Sequence, residues 1–177
     1  DIARGLQQPG RLAGIHFFNP VAQMPLVEVV ASDATSSLAS RQAAAFVRQI
    51  DKLPLPVNDA PGFLVNAVLA PYLNEAMRCV DEGMAPETID AAALAFGMPM
   101  GPIELADTVG LDIALAVGRQ LVAAERQPRK LGELVAADHL GKKSGQGFYV
   151  WAAGQAQKKS AGIIPSGLMQ RLLKPLL

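Results

Sequence analysis

Apolar residues cluster in short, separate runs over the first third of the chain. Residues 12–18 (LAGIHFF) and 25–30 (PLVEVV) are rich in β-branched and aromatic side chains, and an Asn-Pro pair lies between them. Such runs, bounded by turn residues, predict two strands joined by a loop. Residues 36–50 then follow a helical period after serines that can cap a helix, and the prolines of residues 53–59 predict an extended piece. This order indicates the last third of an α/β layer.

The pattern changes to a helical period after Pro61-Gly62. Residues 63–84 predict one long helix, kinked at Pro71 and ended by Gly83. Further helices are predicted over 85–98, 101–125 and near 131–138, followed by a glycine-rich turn leading into a strand over 141–151 and a polar linker over 152–162. We therefore expect a mainly helical domain after the α/β layer.

Composition narrows the classes of protein that the chain can represent. Half of the residues are apolar and 18% are charged, which excludes intrinsic disorder for the bulk of the chain. The 16 basic and 16 acidic residues give a net charge of zero, which argues against a nucleic-acid-binding protein. The single cysteine, Cys79, cannot form an intramolecular disulfide or a cysteine-rich metal site. No apolar run reaches the roughly 18 residues that span a bilayer. We expect a soluble, cytoplasmic protein without a metal.

Both ends of the sequence indicate a segment of a larger protein. The chain opens at Asp1 without a methionine, and an apolar helical run at its end stops without a cap. Residues 64–73 and 168–177 share two leucines, a proline and a further leucine at matching positions. If this similarity is a repeat, the final residues begin a second copy of the helical domain.

His16 and Glu28 are the first candidates for chemistry. If the two strands pair as a hairpin, a loop centred on Ala22 places His16 opposite Glu28, and directly opposed residues have Cβ atoms about 4.5–5.5 Å apart. A carboxylate beside an imidazole orients the ring and suits it to act as a general base. The alternative is a histidine that only satisfies a local hydrogen bond. However, a glutamate within an apolar strand needs a partner, because an unpaired buried charge is costly.

Five other residues are weaker candidates on spacing alone. Asn66 falls on the inner face of the first long helix, where asparagine is mildly unfavourable. Asn19 precedes a proline and is suited to starting a turn. Lys143 lies in a glycine-rich stretch that could contact phosphates, but the order of its glycines and lysines is not that of a P-loop. We expect His139 to lie at the surface and Cys79 to pack as a small apolar residue.

Four stretches in the same order resemble the L-3-hydroxyacyl-CoA dehydrogenase family. The matching stretches are GIHFFNPVAQMPLVEVV (14–30), DAPGFLVNAVLAPYLNEA (59–76), FGMPMGPIELADTVGLD (96–112) and GKKSGQGFYVW (141–151). The resemblance implies an α/β remnant, the end of a Rossmann-type NAD-binding domain, followed by a mainly α-helical C-terminal domain. The implied domains are the C-terminal portion of the NAD-binding domain over 1–58, the helical substrate and dimerisation domain over 59–151, and a linker with the start of a second helical repeat over 152–177.

The resemblance also implies a role for each candidate residue. His16 would remove the proton of the substrate's 3-hydroxyl group as hydride passes to the nicotinamide of NAD, and Glu28 would hold and polarise His16. Asn66 would hydrogen-bond the acyl-CoA substrate near the reacting carbon. Asn19 would lie beside the cofactor, and Lys143 near its phosphate or ribose edge.

The resemblance is incomplete at the start of the chain. The family's glycine fingerprint and ribose-binding acid are absent from this sequence, as is a serine that the family places shortly before the position of Asp1. A helix N-terminus that receives the pyrophosphate is then missing. We expect this chain alone to lack dehydrogenase turnover.

Two features favour one branch of the family. Pro25 in MPLVEVV and the tail beyond Trp151 resemble the multifunctional β-oxidation α-subunits, whereas a monofunctional 3-hydroxybutyryl-CoA dehydrogenase is the alternative. The expected partners are the 3-hydroxyacyl-CoA substrate, a second copy in a homodimer and a thiolase subunit. A hypothesis from another functional class is that the chain is a helical dimerisation or assembly module without activity of its own. A 6-phosphogluconate-type dehydrogenase shares the general plan, but HFFNP argues against it because that class would use a lysine base.

Overall fold

The computed structural model describes residues 2–176. The chain divides into two compact units, Asp1–Val65 and Asn66–Leu177. Asp1 and Leu177, which the expected domain bounds and repeat include, lie outside the described residues. The first unit begins with two short 3-10 helices. Its elements are β1 (Gly14–Phe17), β2 (Leu26–Ala31), α1 (Ser37–Gln49) and β3 (Leu53–Asn58). The strands and helix expected over residues 12–59 are therefore confirmed.

The first unit is built around a three-stranded sheet of order β1-β2-β3. β1 pairs antiparallel with β2, and β2 pairs parallel with β3 through the crossover helix α1. β3 carries Pro54 and Pro56 and lies at the sheet's edge. Alternate residues of a strand point their amides in the same direction, so two prolines at this spacing leave the pairing with β2 intact.

Local chemistry fixes α1 against this sheet. The Ser36 hydroxyl accepts a hydrogen bond from the Ala39 amide at 3.2 Å, as an N-cap residue does. Val47 on α1 packs with Val27 and Val29 of β2, and these three side chains form the buried core of the unit. Full burial of one valine side chain stabilises the folded state by about 1.5–3 kcal/mol.

The second unit is mainly helical. Its helices are α2 (Val65–Asp81), α3 (Pro86–Phe96), α4 (Pro102–Val109), α5 (Leu111–Leu121), α6 (Arg129–Ala136) and α7 (Leu168–Leu173), and its strands are β4 (Val150–Ala152) and β5 (Gln155–Gln157). The first residue of α2, Val65, still belongs to the first unit. Pro71 lies inside α2, and Pro86 and Gly97 stand at the two ends of α3 as expected. Tyr72, Ile89 and Ile103 are among the side chains of its core.

Two sequence predictions for this unit are wrong. The single helix expected over 101–125 is divided at Gly110, whose φ of 108° is incompatible with an α-helix and turns the chain between α4 and α5. The polar linker expected over 152–162 instead contains β5, which pairs antiparallel with β4. The segment after it is also attached, since the Gly162 amide donates to the Thr88 hydroxyl at 3.0 Å.

Two buried carboxylates connect the elements of the helical unit. Asp90 on α3 accepts hydrogen bonds from the Ile103 and Glu104 amides at the start of α4, and from the Tyr149 hydroxyl. Asp107 on α4 accepts hydrogen bonds from the amides and the indole of the segment before and within β4. These groups fix the closing motif to α4, because a buried carboxylate requires all of its oxygens to be paired.

Candidate active site

The pairing of β1 with β2 places His16 directly opposite Glu28. The imidazole Nδ1 lies 2.8 Å from Oε2 of the carboxylate. The register that the spacing of the two strands predicts is therefore confirmed, and the two side chains share a hydrogen bond. Since residues on opposite strands face the same side of a sheet, no further element is needed to bring them together.

Glu28 is fully buried and makes more contacts than the sequence indicates. Its Oε1 atom accepts hydrogen bonds from the amides of Leu64 at 3.0 Å and Val65 at 2.9 Å, where α2 begins. Amides at a helix N-terminus carry partial positive charge and favour an anion. Because an ionised carboxylate accepts hydrogen bonds only, this contact favours the tautomer in which Nδ1 of His16 carries the hydrogen and Nε2 carries the lone pair.

Two aromatic rings contact His16. The Phe18 ring lies 4.9 Å from the imidazole between centroids at 68°, and the Phe63 ring lies 5.5 Å away at 58°. The side chain of His16 is 34% exposed, whereas that of Glu28 is not exposed at all. The ring is therefore held by its neighbours and still accessible to a substrate, which a general base requires.

Asn66 is the second residue of α2 and belongs to the second unit. It is half-buried and lines a narrow cavity of about 100 Å³ with apolar residues that include Leu69, Leu73 and Ile113. An amide at the margin of an apolar cavity offers both a donor and an acceptor to a bound molecule. The expected role of Asn66 toward an acyl-CoA stays a prediction.

The two residues expected near a cofactor occupy exposed positions. Asn19 lies in the loop between β1 and β2, and Lys143 lies in a 3-10 helix, Lys142–Ser144, of the second unit. The Lys143 ammonium is 2.6 Å from the carboxylate of Asp112, and this hydrogen bond lowers the pKa of Asp112. The ammonium is thus already neutralised locally, and its role toward a cofactor stays a prediction, as does that of Asn19.

The two remaining candidates from the sequence are Cys79 and His139. Cys79 is a free, fully buried thiol in the core of the second unit, as expected. Burial raises the pKa of this thiol. His139 is half-buried, whereas we expected it to lie at the surface.

Within residues 2–176, no group of three potential metal ligands comes together. Over the same residues, no helix is long and apolar enough to cross a bilayer.

The first unit also contains a cavity of about 720 Å³. Ser32 and Asp33, which directly follow β2, and Asp59, which directly follows β3, are among the residues that line it. Ligands of open α/β sheets bind outside the carboxyl ends of the parallel strands. The cavity therefore lies where this class of sheet binds nucleotides.

Sequence reasoning missed the contacts made by the start of α2. It predicted a partner for the buried Glu28, but the Leu64 and Val65 donors are backbone amides, which any residue type supplies. The signal that could have pointed to them is the Pro61-Gly62 turn before a helix N-terminus, since a buried carboxylate favours such an end. The contact of Phe63 with His16 had no signal in the spacing.

Comparison with known families assigns both parts of the chain. The family model described as "3-hydroxyacyl-CoA dehydrogenase, NAD binding domain" matches residues 1–60. The model described as "3-hydroxyacyl-CoA dehydrogenase, C-terminal domain" matches residues 62–151.

Relatives of known sequence or structure match most of the chain. The fatty acid oxidation complex subunit alpha of Shewanella sp. (strain ANA-3) is 40% identical over 167 residues, which cover 91% of this chain and 24% of the relative. The crystal structure of 3-hydroxybutyryl-CoA dehydrogenase from Escherichia coli K12 is 40% identical with a TM-score of 0.77 and covers 94% of this chain and 37% of that one. The (S)-3-hydroxybutyryl-CoA dehydrogenase of Ralstonia eutropha is 38% identical with a TM-score of 0.78 and covers 85% of this chain and 56% of that one. The chain spans about a quarter of the length of the curated relatives it matches.

Proposed function

Because the chain belongs to the 3-hydroxyacyl-CoA dehydrogenase family, we propose that it carries the catalytic base of an NAD-dependent oxidation of 3-hydroxyacyl-CoA to 3-oxoacyl-CoA. The observation that carries the proposal is the 2.8 Å hydrogen bond between His16 and the buried Glu28. Oxidation of a secondary alcohol needs a base for the hydroxyl proton, and an oriented imidazole is suited to that role near neutral pH.

The geometry supports Nε2 of His16 as the atom that accepts the proton. Nδ1 of His16 donates to Glu28, so Nε2 takes the proton from the 3-hydroxyl group as hydride leaves the same carbon. The carboxylate of Glu28 then faces an imidazolium and stabilises its charge. NAD supplies the hydride acceptor when it is bound. The substrate loses one proton and one hydride, and the 3-hydroxyl carbon becomes a ketone.

The residues of the first unit fit part of this cofactor. The 720 Å³ cavity lies at the carboxyl ends of β2 and β3, and Ser32, Asp33 and Asp59 in its lining can accept hydrogen bonds from ribose hydroxyls or a carboxamide. Carboxylates repel phosphate oxygens, so we place the neutral parts of the cofactor, and not its pyrophosphate, against these residues. Asn19 and Lys143 remain proposed cofactor contacts, and Asn66 a proposed substrate contact.

A chimaera tests the proposed function. This chain replaces the matching segment of the Shewanella α-subunit, and NADH formation from 3-hydroxybutyryl-CoA is followed for the chimaera and for its His16→Gln variant. We expect kcat to fall about 10²-fold or more in the variant, with substrate binding retained. Turnover equal to that of the unsubstituted chimaera would mean that His16 is not the base. His139→Gln is the matched control, since His139 lies in the other unit.

The wider setting of this activity is also a proposal. The similarity to the fatty acid oxidation complex α-subunit supports a multifunctional β-oxidation protein, which would work with a thiolase subunit. The similarity to 3-hydroxybutyryl-CoA dehydrogenases keeps a monofunctional enzyme as the alternative. A cytoplasmic location belongs to this proposal as well. The domain bounds 1–58, 59–151 and 152–177 are part of the same proposal.

Exposed apolar side chains on several helices favour self-association of the helical unit as a second function. Its exposed apolar side chains include Val68, Leu94, Phe96, Val109 and Ile113, each at least 44% exposed. Large apolar side chains that are exposed in one chain favour a protein–protein interface. A homodimer is the commonest symmetric assembly that would cover them. Sedimentation velocity at micromolar concentration should give a dimer that Ile113→Glu dissociates. A monomer at that concentration would contradict this second function and leave the dehydrogenase proposal intact.

A further inference from the structure

The turn that begins α2 contacts both members of the His16–Glu28 pair. The ring of Phe63 packs against the imidazole at 5.5 Å between centroids. The next two residues, Leu64 and Val65, donate their amides to the Glu28 carboxylate. Three consecutive residues of one segment therefore contact the ring that would take the proton and the carboxylate that orients it.

Phe63 takes a backbone conformation that a phenylalanine rarely adopts. Its φ is +48°, in the left-handed region, and it follows Gly62 at φ +77°. A bulky residue in this region is strained and persists only where the surrounding contacts enforce the conformation. The Phe63 amide donates to the Ala60 carbonyl at 2.9 Å, which closes the turn. Such strain clusters at functional sites.

We propose that Phe63 is a positioning residue for His16. Its left-handed turn holds the phenyl ring against the imidazole and also directs the amides of Leu64 and Val65 to Glu28. This inference rests on the proposed function, in which His16 is the base. It adds to that function a single segment, residues 63–65, that holds both His16 and Glu28 in place.

The contacts around His16 explain what the ring of Phe63 contributes. Phe18 approaches the imidazole edge-on at 4.9 Å, and Phe63 approaches it at a tilt. Two rings in different orientations restrict rotation of the imidazole more than one does, since aromatic pairs have preferred geometries. With rotation restricted, Nδ1 stays toward Glu28 and Nε2 stays toward the exposed side. Loss of the Phe63 ring frees this rotation without removing either member of the pair.

Two variants separate the ring from the turn. Phe63→Gly keeps the left-handed turn, which glycine adopts freely, and removes the ring. Phe63→Leu keeps an apolar side chain and the strained backbone and removes only the aromatic contact. Phe46→Leu, at a 47% exposed phenylalanine on α1, is the control for the substitution itself.

The first readout is the tautomer of His16 in the 177-residue chain, measured by long-range ¹H–¹⁵N correlation above the titration of the imidazole. The unsubstituted chain should show the Nδ1–H form of His16, and His139 is the internal reference. Phe63→Gly should give a mixture of both tautomers at His16 and leave His139 unchanged. Phe63→Leu should lie between them, and Phe46→Leu should match the unsubstituted chain.

The second readout is turnover of the chimaera described above. Phe63→Gly should lower kcat about 10-fold to 10²-fold with little change in KM, because a misplaced base affects the chemical step more than binding. An unchanged His16 tautomer and unchanged kcat in Phe63→Gly would overturn the proposal, and the dehydrogenase function would still stand. Full turnover of His16→Gln would instead overturn the dehydrogenase function. If Phe63→Gly fails to fold, Phe63→Leu decides: an unchanged tautomer overturns the proposal.

Discussion

Glu28 lies deeper in the protein than the His16 ring that it orients. The carboxylate is fully buried, whereas 34% of the His16 side chain is exposed. Its burial is compensated by His16 on one oxygen and by the amides of Leu64 and Val65 on the other. The carboxylate is thus held by main-chain groups that a substrate does not displace. This arrangement leaves the imidazole of His16 accessible to solvent and its carboxylate partner inaccessible.

Glu28→Gln should disturb both functions of the carboxylate. A glutamine has one acceptor oxygen, so either His16 or the two amides must face an NH₂ group. Leaving buried donors unpaired costs about 1–3 kcal/mol, which urea unfolding of the 177-residue chain would detect. In the chimaera kcat should fall by about 10² or more, because the imidazole loses its fixed tautomer.

The control for this prediction is Glu133→Gln, which changes an exposed glutamate on α6. It should leave the free energy of unfolding within about 0.5 kcal/mol of the original value. Wild-type kcat in Glu28→Gln would mean that the hydrogen bond to His16 does not matter for the reaction.

The sequence was sufficient for elements whose signals are local. Ser36 capped α1, and the spacing from His16 to Glu28 gave the hairpin register, because a hairpin has one symmetric pairing about its loop. It was insufficient at Gly110, where the apolar period continues through the break between α4 and α5. The φ of 108° there follows from tertiary packing, since the Leu111 amide that follows it donates to the Leu140 carbonyl.

The same limit applies to the site. His16, Glu28 and Asn66 carry side chains whose chemistry marks them in the sequence. The Leu64 and Val65 amides carry no such mark, and the left-handed turn of Phe63 is unusual for its residue type. A sequence pattern predicts side-chain chemistry, whereas a contribution from the backbone depends on which segments the fold brings together.

Gly145 and Gly147 form a matched pair in the motif that closes the helical unit. Gly145 has φ +81° with open space where a Cβ would lie, so Gly145→Ala should cost only the strain of the left-handed region, about 1–2 kcal/mol. A Cβ at Gly147 would overlap Oδ1 of Asp107, so Gly147→Ala should cost about 3 kcal/mol or more. Denaturant unfolding of both variants measures the difference. Equal destabilisation would contradict the close approach of Gly147 to Asp107.

Gly118 should tolerate a larger side chain. It lies in the interior of α5 without a positive φ, and a Cβ there meets no atom within 4 Å. Glycine inside a helix is less stable than alanine by about 0.5–1 kcal/mol. Gly118→Ala should therefore raise the free energy of unfolding by that amount. A loss of stability would mean that the cavity which Gly118 lines closes in solution.

Arg171 connects α7 to α2 through charged hydrogen bonds. Its Nε donates to Glu75 at 2.7 Å, and its two terminal nitrogens donate to Glu82 at 2.6 Å each. These bonds raise the pKa of Arg171 and lower that of Glu82. A lowered carboxyl pKa contributes stability above its ordinary value of 4.5, and this contribution is lost as the pH falls through the lowered value.

Arg171→Lys keeps the positive charge but removes the guanidinium group, whose two terminal nitrogens bond the Glu82 carboxylate together. Because Glu82 is 51% exposed, solvent screens much of the interaction, and we expect a loss of about 1 kcal/mol at neutral pH. The difference between the two proteins should shrink as the pH is lowered below the ordinary pKa of glutamate. Arg119→Lys on α5 is the control, and a similar loss there would show that the effect is not specific to the Glu82 pair.

Asp107→Asn should change both the size and the pH dependence of stability in the helical unit. Burial raises the pKa of Asp107, although hydrogen bonds from Trp151, Tyr149 and Phe148 oppose the shift. Between the ordinary value of 3.8 and the raised value, the folded state binds more protons than the unfolded state, so this group's contribution to stability falls as the pH rises through that window. Asparagine cannot titrate, and its NH₂ group faces donors. The variant should lose about 1–3 kcal/mol of unfolding free energy at neutral pH and lack this component of the pH dependence.

Urea unfolding at several pH values, with the exposed Asp138→Asn as control, measures both effects. If the unsubstituted chain and Asp107→Asn differ by the same free energy at every pH, Asp107 does not titrate with a raised pKa in the folded protein.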